Sequence, residues 1–255
     1  MTDDLTGPDP DSDVTDDPSE TPPAHLGRFV ADGPVSGHRP VSASSTPVTE
    51  SPEHAWAAAA SLVFPILRPT GTTGADPDVP LDVLRSMRAG HTVPLVTPGP
   101  CGLVISFALQ AGGFDILVNS EHLLSWGVGA RELAAVADAN LATWSAGIGW
   151  TDEISGTRRI LSSDAGGGHD AARILLADVR EHLARELTVS AASGTRVLVG
   201  VPERHLLLAG ALGPGDEEFA ALFHEFVVEH SEDADEPIDR RIFELVDGEL
   251  VEYAG

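Results

Sequence analysis

The sequence predicts an α+β domain, with a mainly antiparallel sheet and helices packed on one side, behind a disordered acidic N-terminal tail. Three observations point there. Short runs rich in β-branched and aliphatic residues recur between turn residues, the mark of antiparallel strands. Between those runs apolar residues fall at helical spacing, most clearly at Phe219, Leu222, Phe223, Phe226 and Val227. Residues 1–50 show neither pattern. They hold ten acidic residues against two Arg, a net of −8, with eight prolines and Phe29 as the only aromatic. Such a segment cannot bury enough apolar surface to offset the entropy of ordering it.

One α+β domain is therefore expected over residues 51–253. Ser51-Pro52-Glu53 reads as a helix start, with a hydroxyl cap, Pro at the first helical position and an acid in the first turn. That helix is expected to carry Trp56, Ala60, Val63 and Phe64 and to stop at Pro65. Residues 66–80 read as a loop, and a short helix is expected near Leu81 to Met87. Thr92 to Val96 and Leu103 to Leu109 flank a Pro98-Gly99-Pro100 turn, and Phe114 to Val118 follows, suggesting a meander.

Ser120-Glu121-His122 opens a short helix ending at Trp126-Gly127. In the next helix, Leu133, Val136, Ala137, Asn140, Leu141 and Trp144 share one face. An amide inside an apolar stripe needs a partner, so Asn140 is expected to tie down a neighbouring backbone. Arg158 to Ser162 reads as a strand and His169 to Leu187 as one long helix. Thr195 to Val201 and His205 to Ala209 form strands joined by a Pro202-Glu203-Arg204 turn. Asp216 caps the Phe219 helix. The chain closes in strands Arg241 to Val246 and Glu249 to Tyr253 about an Asp247-Gly248 hairpin turn.

Composition narrows the function classes. Forty acidic residues face fifteen basic ones, all Arg, for a net charge of −25. That surface repels phosphate backbones and anionic headgroups, so neither a nucleic acid nor a membrane is expected as partner. A basic protein is easier to accommodate. The first twenty residues lack the basic start and apolar stretch of a signal peptide, and no run of about 18 apolar residues occurs, so the expected location is cytoplasmic. Cys101 is the single cysteine and reads as a small packing residue.

Four patterns bear on chemistry. Gly166-Gly167-Gly168-His169-Asp170-Ala171 has the G-x-G-x-x-A form of a dinucleotide loop between a strand and a helix. Asp164 and Asp170 would repel a pyrophosphate there, the acid that ends the next strand, Glu203, lies about 35 residues past the loop where the fingerprint has one about 20 on, and too little chain remains for further βα units. His224 and His230 are six apart, about 240° around a helix, and cannot share a metal. His122 and Ser125 lack an oxyanion loop and an orienting acid. Arg204, at a hairpin tip, can pair with an acid across the fold or grip a carboxylate ligand.

The second half resembles a bacterial family of uncharacterised proteins, the domain-of-unknown-function 1444 family. The likeness rests on Glu121 to Val128 with its Trp126-Gly127 ending, Glu132-Leu133 to Asn140-Leu141, Asp170 to Leu176, Val201-Pro202-Glu203-Arg204-His205-Leu206-Leu207, and Arg241, Phe243 and Asp247-Gly248. His205 stands where that family's pattern has Asp. The resemblance spans about residues 100–253, with a looser echo at Phe64-Pro65. It implies one fold and carries no activity, cofactor or catalytic set.

The reading preferred from sequence is a non-enzymatic protein-binding or regulatory module with no cofactor. The alternative is a small-molecule-binding enzyme with its site near the Val201–His205 turn and the Gly166–Asp170 loop. Asn140, Asp170, Pro202, Arg204 and His205 are the candidate binding residues under both.

Overall fold

A computed structural model describes residues 51–111 and 113–255. The disordered tail expected over residues 1–50 lies outside the described residues. The described residues belong to one contact unit, Ser45–Gly255. Among the described residues, six α-helices and ten strands make an α+β fold, and every pair of these strands is antiparallel.

The strands divide into two sheets rather than one. In the first, β3 (Val104–Ala111) is central. β1 (Val63–Arg68) lies along one edge, while β2 (Val96–Pro98) and β4 (Phe114–Leu117) share the other, pairing with opposite ends of β3. Pro65 belongs to β1 opposite Phe107. The expected first helix is thus shortened to α1 (Trp56–Ala59), and Val63 and Phe64 are strand residues. Pro65 is tolerated because β1 is an edge strand, where a missing N–H costs no ladder bond. α2 (Leu81–Ser86), α3 (Ser120–Trp126) and α4 (Ala130–Ala146) complete this half. Its core joins Val63, Phe107 and Leu109 to Leu123, Leu133 and Ala137.

The second sheet has six strands in the order β10-β9-β7-β8-β6-β5. They are β5 (Thr151–Ser155), β6 (Arg158–Ser163), β7 (Arg196–Glu203), β8 (Leu206–Leu212), β9 (Ile242–Val246) and β10 (Glu249–Glu252). β5 has no counterpart in the sequence reading. All five of its residues are exposed, so it lacks the half-buried alternation that marks a strand.

Helices cover both faces of this sheet, not one. Val197, Val199 and Val201 of β7 face α5 (Ala177–Thr188) through Val179, Leu183 and Leu187. Leu198 of β7 and Leu208 of β8 face α6 (Glu217–Asp233) through Phe219, Phe223 and Val227. β7 and β8 are consequently buried on both sides and read as continuous apolar runs rather than alternating ones. Gly200 permits the close approach of α6: a Cβ there would lie 2.5 Å from Val227 Cγ2. Only part of the expected α6 stripe is buried, since Leu222 and Phe226 remain 47% and 40% exposed.

The long helix expected from His169 to Leu187 is broken. A 3-10 segment covers Ala171–Leu175, Leu176 is extended, and α5 starts at Ala177. The break lets Arg173 turn inward, where it is 2% exposed.

Candidate functional site

The Gly166–Arg173 loop lies between the halves of the fold, and most of its polar groups are bound within the protein, though the buried His169 Nδ1 and Asp170 Oδ2 have no hydrogen-bond partner among the described residues. Asp170 makes no side-chain cap on the segment that follows it. Its Oδ1 accepts a hydrogen bond from Ser163 Oγ at 2.5 Å and another from the Ala165 N–H at 3.1 Å, closing the loop on itself. Ser163 Oγ in turn accepts from Arg173 Nη1 at 2.6 Å, so one hydroxyl bridges a buried carboxylate and a buried guanidinium. Arg173 also donates from Nε to Ser145 Oγ at 2.9 Å and from Nη2 to the Ile148 carbonyl at 3.2 Å, and it lies 4.1 Å above the Trp150 ring. Burial holds its pKa below the usual guanidinium value, opposed by the Asp170 charge.

Arg204 is 8% exposed, so it does not stand in solvent at the hairpin tip. β7 continues through Pro202 to Glu203, and the turn is made by Arg204 and His205. The guanidinium donates from Nε to the Gly168 carbonyl at 2.9 Å, from Nη2 to the Asp115 carboxylate, and from Nη1 to Glu236 Oε2 at 3.4 Å. Pairing across the fold is thus the outcome for Arg204, and Asp115 of β4 ties the first sheet to the second. The glycine triplet has a packing explanation instead of a phosphate-binding one. Gly168 has φ +76° and approaches the Arg204 guanidinium so closely that a Cβ would lie 3.0 Å from Nη2; a Cβ on Gly167 would lie 2.9 Å from Trp144. The segment that follows is 3-10, so no α-helix N-terminus points at the loop.

His169 is 2% exposed, stacked on Phe64 at 4.0 Å and edge-on to Trp144 at 5.2 Å. Desolvation first, and the Arg204 charge second, pull its pKa down to about 4, against a partial opposing pull from Asp115. Sequence reasoning passed over His169, Ser163, Arg173 and Asp115. Arg173 sits among apolar residues in Ala171 to Leu176, and an Arg flanked by such a run was the one available signal of burial.

The other candidates lie elsewhere. Asn140 Nδ2 donates to the Ala60 carbonyl at 2.7 Å and the Val63 carbonyl at 2.8 Å, tying α4 to the α1–β1 connection. Pro202 is buried, and its carbonyl accepts from the Ile238 N–H at 2.8 Å. Of the five, His205 alone opens onto a concavity. The structure therefore gathers Asp170 and Arg204 around one loop, but bonds them internally, and leaves Asn140 apart.

That concavity is a cleft of about 600 Å³ at the C-terminal end of α6. Its rim holds Glu203, Glu229, Asp233, Asp235 and Glu236, with His205 and His230 between them and the Phe226 ring on one wall. Among the described residues, Glu203, Glu229, Asp233 and Asp235 have no cationic partner, while Glu236 meets Arg204. Among the described residues no group of three or more His, Cys, Asp or Glu is placed to hold a metal ion, and no helix is long and apolar enough to cross a membrane.

No protein-family model, curated protein or solved structure matches this chain. The reading of the site accordingly rests on geometry.

Proposed function

We propose that this chain is a non-enzymatic protein-binding module, with the cleft at the end of α6 as its binding face. The observation that carries this reading is how the polar groups are used. Arg204 is committed to Gly168, Asp115 and Glu236; Asp170 to Ser163 and Ala165; Asn140 to Ala60 and Val63. A small-molecule enzyme at the Val201–His205 turn and the Gly166–Asp170 loop needs such groups aimed at a substrate. Here Arg204 joins the two sheets, Asp170 closes its loop and Asn140 ties α4 to β1, and exposed carboxylates collect around the cleft instead. Charges left uncompensated at a surface concavity favour recognition of an oppositely charged partner and speed its encounter.

The test is affinity capture from native lysate on the immobilised full chain, on the chain lacking residues 1–50, and on the Glu229→Gln/Asp233→Asn variant. The reading expects a protein retained by the first two and lost from the third. Retention that disappears entirely when residues 1–50 are removed moves the activity to the tail and overturns it.

A further inference from the structure

Building on the protein-binding reading, we propose that the exposed face of α6 and its adjoining cleft dock an Arg-bearing amphipathic segment of a partner protein, its apolar side on Leu222 and Phe226 and its guanidinium groups in the cleft.

The face is continuous. Leu222, Phe226, Glu229 and Asp233 stand at i, i+4, i+7 and i+11 of α6, and such residues form one stripe about 16 Å long. Its first half is apolar and exposed, at 47% for Leu222 and 40% for Phe226. Its second half is anionic and opens into the cleft. α6 buries the adjoining face, Phe219, Phe223 and Val227, on the sheet, and the Leu222–Phe226 edge beside it is not part of that core.

Charge decides the occupant. Glu229 and Asp233 lie in the last turns of a 17-residue helix, where the unsatisfied carbonyls already give a negative end. Acids at that end oppose folding, and a bound cation relieves both effects. Phe226 adds an exposed ring, 4.0 Å from the His230 ring, on which a planar guanidinium can stack. A guanidinium also suits paired carboxylates better than an ammonium because its N–H groups form a planar fork. The concavity beside β5, of about 510 Å³, offers no such demand: its Arg159 is paired with Asp152 and Glu186, and its Asp216 with Arg158.

The test is fluorescence anisotropy of the full chain with a labelled synthetic peptide as long as α6, carrying Leu and Arg on adjacent helical faces. Three control ligands are the same peptide with Gln for Arg, the same with Ser for Leu, and spermine. The wild-type chain is expected to bind the Arg/Leu peptide with a salt-dependent affinity. Glu229→Gln/Asp233→Asn should weaken it roughly tenfold, as two exposed ion pairs allow. Phe226→Ala should weaken it by a factor of about three to ten, while Phe226→Tyr retains it. All three substituted residues are at the surface; the urea midpoints of the Phe226 variants are expected to stay close to wild type and that of the charge variant to match or slightly exceed it, since those acids oppose folding. The proposal is overturned if the Gln or Ser peptide binds equally, if spermine binds as tightly, or if neither variant changes affinity. Lysate capture separates this from the broader reading. A protein lost from the charge variant while the Arg/Leu peptide fails to bind sinks the Arg-segment proposal and leaves the cleft as a protein-binding face; a protein retained equally by wild type and the charge variant, or nothing retained by either, sinks that reading itself.

Discussion

Replacing Arg204 with Met should destabilise the fold by about 2–4 kcal/mol, because the substitution keeps the side chain's apolar length and removes every hydrogen bond it makes. The magnitude follows from the three acceptors. The Gly168 carbonyl loses its 2.9 Å partner inside the loop, which costs about 1–3 kcal/mol if nothing replaces it. Asp115 loses its ion pair, but its side chain is 28% exposed and regains some water, so the cost falls below the ~3–5 kcal/mol of a fully buried pair broken on one side. Glu236 is 48% exposed and adds little. Arg204→Lys, which can reach one acceptor but not all three, should lie between Met and wild type. Urea unfolding followed by tryptophan fluorescence measures the shift in midpoint at constant m-value. A cycle with Asp115→Asn should show coupling, since the two residues touch. If Arg204→Met stays within about 0.5 kcal/mol of wild type yet abolishes capture of the partner, Arg204 serves ligand binding and the scaffold argument fails.

Other perturbations test separate parts of the account. Asn140→Ala leaves the Ala60 and Val63 carbonyls without their donor and should cost about 1–3 kcal/mol in urea unfolding; an effect near zero contradicts the tie between α4 and β1. Gly200→Ala places a methyl 2.5 Å from Val227 and should cost about 1–3 kcal/mol, partly recovered in the double variant with Val227→Ala. His169 has a folded-state pKa of about 4 against 6.5 unfolded, so the unfolded chain takes up the proton first. The stability it contributes is complete above 6.5 and is lost as pH falls from there toward about 4, at no more than ~1.4 kcal/mol per pH unit. His169→Phe, which preserves stacking on Phe64, should remove that component of the slope; a variant that tracks wild type through this window refutes the assignment.

Most helices and strands were legible because their apolar residues repeat at the period of the element that buries them. α4 and α6 show it plainly, while β7 and β8 were legible as short continuous apolar runs between turn residues. Failures occurred where tertiary packing overrides local pattern. Val63, Phe64 and Pro65 look like a helix end, yet β3 recruits them as an edge strand. The apparent helix from His169 is broken so that Arg173 can reach Ser145 and Ser163. Two-sided burial of the large sheet was hidden as well, because β7 and β8 carry no alternation to show which face is inside. The candidate residues were chosen for chemical type, and four of the five are consumed by internal bonds or packing. The cleft was harder to see: Glu203, Glu229 and Asp235 are far apart in sequence or scattered among many other acids, and only the return of the chain after α6 to Pro202 brings them together.

Amide hydrogen exchange of the full chain, with and without saturating Arg/Leu peptide, tests most directly whether recognition and scaffolding are divided in this way. The account predicts slowed exchange in residues 203–206 and 226–238 and unchanged exchange in residues 163–175. Slowed exchange confined to residues 163–175, with the α6 cleft unaffected, would contradict it.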